Sequence, residues 1–147
     1  MDLAIKHMIV CDEVRREDYG KRIIIGVYTN TILVPEFPFV LPSLTFFSFA
    51  RASESGDFPF EASLLLPQQD EPSTKAQGRM QIREIGDVQY TLQFRNVKFK
   101  GPGICRLGVR IGEHEEIVAA EISVQLRTKD GQTSNQTITL PASPGED

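Results

Sequence analysis

Apolar and polar side chains alternate along much of this chain with a period of two, the spacing of an extended strand that turns one face away from water. The clearest run is Val118, Ala120, Ile122, Val124 and Leu126, alternating with Ala119, Glu121, Ser123, Gln125 and Arg127. Just before it, Cys105, Leu107, Val109 and Ile111 alternate with Arg106, Gly108, Arg110 and Gly112. Gly112-Glu113-His114-Glu115-Glu116 between the two runs reads as a hairpin turn, so two antiparallel strands are expected here.

The pattern recurs upstream. Val88, Tyr90, Leu92 and Phe94 form an inward set that resumes at Val97 and Phe99, a step of three instead of two, which predicts a bulge near Arg95 and Asn96. Lys100-Gly101-Pro102-Gly103 then marks a turn. Residues 5–14 and 22–34 are expected to form a first hairpin around the charged turn at 16–21, where Gly20 suits a positive φ. Further short strands are expected at 44–51, 60–66 and 79–85, whereas the polar stretch 68–78 reads as a mobile loop.

Seven or eight such strands without a helical period predict an all-β fold, an antiparallel β-sandwich, with a partly open barrel as the alternative. A length of 147 residues suits a single domain. Residues 1–127 are read as the sandwich domain. Residues 128–147 form a polar C-terminal tail whose apolar anchors are Ile138 and Leu140, with 137–140 as a candidate edge strand.

Composition narrows the function classes. With 40% hydrophobic and 24% charged residues the chain is far from the makeup of disordered proteins. A net charge of −4 argues against a continuous basic surface, so nucleic acid is not an expected partner. No apolar run approaches the roughly 20 residues that span a bilayer, so no membrane role is expected. Two widely separated cysteines, and Asp2 and Lys6 where a secretory leader would be apolar, point to a cytoplasmic setting.

Over Ile9-Val10-Cys11-Asp12-Glu13-Val14-Arg15-Arg16-Glu17-Asp18, Gly20-Lys21, Ile24-Ile25-Gly26-Val27-Tyr28 and Val34-Pro35-Glu36-Phe37-Pro38, the chain resembles a family of small uncharacterised bacterial proteins, a domain of unknown function. Gly101-Pro102-Gly103 and the strand after it look like that family's closing hairpin. The resemblance implies a bacterial or phage-related cytoplasmic β-domain. It supplies no catalytic residues.

The residues themselves offer little chemistry. Asp12, Glu13, Glu17 and Asp18 have the ligand type for Ca²⁺, but Arg15, Arg16, Lys21 and Arg22 neutralise them locally and favour a solvated hairpin. His7 with Cys11, and His114 with Cys105, are the available imidazole and thiol pairs. The first pair lies four residues apart along a strand, and the second is divided between an inward strand position and a turn. No nucleophile elbow or phosphate cradle is present. No enzyme activity, cofactor or metal is therefore expected.

The most suggestive feature is a repeated Phe-Pro-Phe, at Phe37-Pro38-Phe39 and Phe58-Pro59-Phe60. These rings either close the ends of the core or, held on stiff extended loops, form an exposed patch for a partner. Phe37, Phe39, Phe58 and Phe60 are thus the candidate interaction surface of a non-enzymatic protein-interaction or structural module, binding a protein partner or a second copy. The alternative is a small-ligand binder lined by Tyr19, Tyr28, Tyr90 and the same aromatic loops.

Overall fold

A computed structural model describes residues 1–72, 74–128 and 137–141. Nine strands form two sheets: β1 (Leu3–Arg16), β2 (Arg22–Tyr28), β3 (Thr31–Val34), β4 (Phe39–Ala52), β5 (Gly56–Leu65), β6 (Thr74–Ile82), β7 (Gly86–Phe99), β8 (Gly103–Ile111) and β9 (Ile117–Leu126). The first sheet has the order β2-β1-β4-β7 and the second β3-β9-β8-β5-β6. No pairing joins the two sheets among the described residues, so the fold is a sandwich and not a barrel.

The expected hairpins form, β1 with β2 and β8 with β9, both antiparallel. The segment 22–34 is not one strand. It breaks at Thr29 and Asn30, leaves the edge of the first sheet, and joins the second as β3, which runs parallel to β9. That crossing raises the strand count to nine and makes the sandwich only mostly antiparallel. Residues 74–82, read as loop at their start, are a strand that pairs with β5 at the sheet edge. An edge strand covering little of the core needs few apolar residues, so its sequence looks like a loop.

The core lies between the sheets. Leu44, Phe46, Phe94, Phe99, Leu64, Leu107, Ile122 and Val124 are buried there. Phe46 and Phe94 meet edge to face at 5.9 Å, a geometry that adds about 0.5–1.5 kcal/mol to their burial. Val118 and Leu126, expected inside, are 61% and 49% exposed. The cause at Val118 is an irregularity between Leu107 and Gly108, where one step along β8 is answered by two along β9 and the alternation changes phase.

The slip after Phe94 is real but is not the expected one-sided bulge. Leu44 faces Phe94 and Leu41 faces Val97, so β4 and β7 both step by three and their register stays constant. Asn96, with φ +53, opposes Pro42, which has no N–H to give to the ladder. The same device recurs between β1 and β2. Register is constant on both sides of Asp12 and Gly26, and Gly26 has φ +68.

At this second kink the hairpin folds back. The last β1–β4 pair is Cys11 with Thr45, and beyond it the Asp12 carbonyl accepts hydrogen bonds from the Ser43 and Thr45 hydroxyls, at 2.6 and 3.0 Å. Arg22 pairs with Arg16, while Phe47 pairs with Ile9, so a flat sheet would hold the two about 23 Å apart along the strands. Instead the Arg22 guanidinium stands 5.4 Å from the centre of the Phe47 ring. The hairpin arm therefore lies over the outer face of its own sheet. It covers Cys11, Thr45 and Phe47, which are buried on the side away from the core.

Gly26 and Gly20 both have positive φ, but only at Gly26 would a Cβ meet a neighbour, the Asp12 carboxylate. Gly26→Ala is thus expected to cost about 1–3 kcal/mol and more than Gly20→Ala, as read from urea midpoints. The hydroxyls of Ser48 and Tyr90 are buried opposite each other on β4 and β7, without a well-formed hydrogen bond to any other group. Tyr90→Phe should accordingly leave thermal stability unchanged or raise it by up to about 1 kcal/mol; a loss above that would show that the hydroxyl is engaged.

Candidate functional site

The fold separates the residues that the sequence offered as a site. Phe39 pairs with Phe99 at one end of β7, whereas Phe60 meets Tyr90 edge to face at 5.7 Å, about 30 Å away along the same strand. Phe37, Phe39 and Phe60 pack against the core, and Phe58 is half-buried beside Gly56. The tyrosines do not converge either. Tyr19 is 99% exposed at the tip of the first hairpin, while Tyr28 and Tyr90 lie three strand spacings apart, about 14 Å.

Among the acids, Asp12 accepts a hydrogen bond from the Tyr28 hydroxyl and Glu13 pairs with Arg15 at 3.3 Å. No group of three His, Cys, Asp or Glu side chains is placed to hold a metal among the described residues. His114 lies 3.7 Å from Asp2 and His7 is exposed, neither beside a thiol. The outer face of the second sheet neutralises itself across strands: Arg106 pairs with Glu121, Arg110 with Glu61 and Arg79 with Asp57, at 3.0, 2.8 and 3.1 Å. Such exposed pairs add little stability and leave no net field.

One flank of the sandwich is different. β3 pairs with β9 only from Ser123 onward, so residues 117–122 have no strand on that side among the described residues. Across from them runs β2, the bare edge of the first sheet. Between the two edges lies a cleft of about 510 Å³, walled by Met8, Val10, Val27, Tyr28, Ala120 and Ile122 and closed at one end by the crossing at Thr29 and Asn30. The Asp12 carboxylate fixes the Tyr28 ring in this wall. Val27 on β2, in the cleft wall, is 56% exposed, and Val118 on the unpaired stretch of β9 is 61% exposed.

Of these flank residues the sequence offered only Tyr28 as a candidate site residue, and Val118, Ala120 and Ile122 only as strand positions. The one available signal was Ile117-Val118-Ala119-Ala120, where two adjacent small residues break the alternation and mark the bulge.

The pattern of a family of unknown function, DUF6941, matches residues 6–125. The chain belongs to this family. Its match takes in both sheets and both walls of the flank, so the flank is part of the DUF6941 domain and not an addition to it. No curated protein matches the chain. Among solved structures it is similar to the cupredoxin domain of AmoB from Nitrosocaldus yellowstonii, at 14% identity, over 68% of this chain and 67% of that one, with a TM-score of 0.36. A likeness so distant carries nothing about function. No helix of the described residues is long and apolar enough to cross a membrane.

Within this DUF6941 domain both thiols are free and buried, Cys105 in the core between the sheets and Cys11 on the side of the first sheet away from it. Burial raises the pKa of Cys11, and pushes that of Cys105 from 9.0 up to about 12. Neither is a ready thiolate near neutral pH. The folded chain holds the Cys105 proton more tightly than the unfolded chain does, so this group's stabilisation is intact below about pH 9. It is lost as pH rises toward 12, by about 1.4 kcal/mol per pH unit. Urea melts of wild type and Cys105→Ala at about pH 8 and about pH 10.5 check this: the gap between them should narrow at the higher pH.

Proposed function

We propose that this domain is a non-enzymatic interaction module of a bacterial or phage-related cytoplasm, and that it engages its partner through the open flank between β2 and β9. The observation that carries the reading is a cleft walled by Val10, Val27, Tyr28, Ala120 and Ile122 beside a strand edge left unpaired, among the described residues, over 117–122. Unpaired backbone groups beside apolar side chains suit the addition of an extended segment as a further strand, with alternate side chains seated in the cleft. The buried, protonated thiols and the histidines set apart from them support a binding role over nucleophilic chemistry. Two free, buried cysteines support a reducing compartment.

The experiment pairs capture from the native host with substitution at the flank. Val27→Lys and Val118→Lys, both at exposed positions, should abolish capture of the partner while shifting stability by less than about 0.5 kcal/mol. A partner held equally well by the double variant would overturn the reading, as would a wild-type chain that holds none. Phe39→Ser provides the contrast: the ring packs on the core, so its loss should lower stability by about 3 kcal/mol.

A further inference from the structure

Residues 137–141 read Thr-Ile-Thr-Leu-Pro, a short period-two segment without charge that ends on a residue unable to continue a ladder. In the structure 137–140 belong to no strand, and Ile138 and Leu140 are 78% and 79% exposed. An exposed strand-forming segment and an empty strand edge thus occur on the same chain. We propose that the flank receives residues 137–140 of a second copy as a tenth strand, so that the family domain assembles by donating its tail. This rests on the reading of the flank as the docking place.

The dimensions and chemistry agree. Four extended residues span about 13 Å and the unpaired stretch 117–122 about 20 Å, so the segment fits within the edge. Alternation puts Ile138 and Leu140 on one face, toward the cleft between Met8, Val10 and Ala120, where the small alanine leaves room. Thr137 and Thr139 then face water. An uncharged strand also matches a cleft whose walls carry one acid, Glu121, and no base. Ten residues, 127–136, link the end of β9 to the segment and reach up to about 33 Å, enough to leave one body and enter another. Within one chain the tail would have to pass β3, which occupies the edge of β9 from Ser123 to Leu126, before it reached the cleft.

The test uses full-length chains and their mass across a concentration series. Wild type should self-associate. A flank-blocked chain, Val27→Lys with Val118→Lys, and a tail-blocked chain, Ile138→Lys with Leu140→Lys, should each lose association by about tenfold or more. Mixed together, they should recover a heterodimer, because one keeps an intact tail and the other an intact flank. The proposal is overturned by a monomeric wild type, by association that survives in either variant, or by a mixture that stays monomeric. A tail-blocked chain that unfolds more easily while wild type remains monomeric would show that the tail docks on its own body, which also overturns it. If the tail-blocked chain still captures the host partner and the flank-blocked chain does not, the interaction reading stands and tail donation alone falls.

Discussion

The structure depends on the burial of β4 from both sides. Residues 44–48 are all buried, Leu44, Phe46 and Ser48 toward the second sheet and Thr45 and Phe47 away from it. One face is covered as in any sandwich, by the opposing sheet. The other has no third sheet to cover it, and the chain supplies that cover by bending its first hairpin back. The bend requires β1 to leave β4 after Cys11 without stranding the Asp12 carbonyl, and the Ser43 and Thr45 hydroxyls take over that acceptor. It also requires a residue that accepts a positive φ under a carboxylate, and Gly26 is that residue.

Two kinks of the first sheet work on the same principle, unlike the register shift between β1 and β4 at Ile5 and His7. A one-sided bulge would shift the register and carry every later side chain to the wrong face of the partner strand. A matched slip in two neighbours changes which face is apolar and keeps the ladder in step. Asn96 opposite Pro42 does this for β4 and β7, and Gly26 opposite Asp12 does it for β1 and β2. The irregularity of β9 is different in kind: it shifts register against β8, and it turns Val118 out to solvent.

The open flank follows from the same arrangement. A hairpin folded over its own sheet has β2 as an edge, and the crossing at Thr29 and Asn30 delivers a β3 too short to cover the whole of β9. Two partly bare edges then face each other, with the Tyr28 ring held between them by Asp12. The apolar residues that wall this cleft, Met8, Val10, Tyr28, Ala120 and Ile122, also pack the core, so the cleft opens directly onto it. The four phenylalanines of the repeated motif, by contrast, are half-buried at opposite ends, and three of them pack on the core.

Local alternation sufficed for the class of fold and most strand positions, because a period of two is a property of an extended backbone facing one apolar layer. Residues 105–111 and 118–126 announced their hairpin, and Phe94 with Val97 announced a slip. The sequence also carries no recognisable catalytic motif. What lies on the far side of a strand emerged from the packing of distant segments. Whether Phe47 and Cys11 meet water depends on where a hairpin bends, and whether 117–122 has a neighbour depends on where β3 lands. Those are contacts between residues distant along the chain, and periodicity reports which side chains share a face, not what is packed against it.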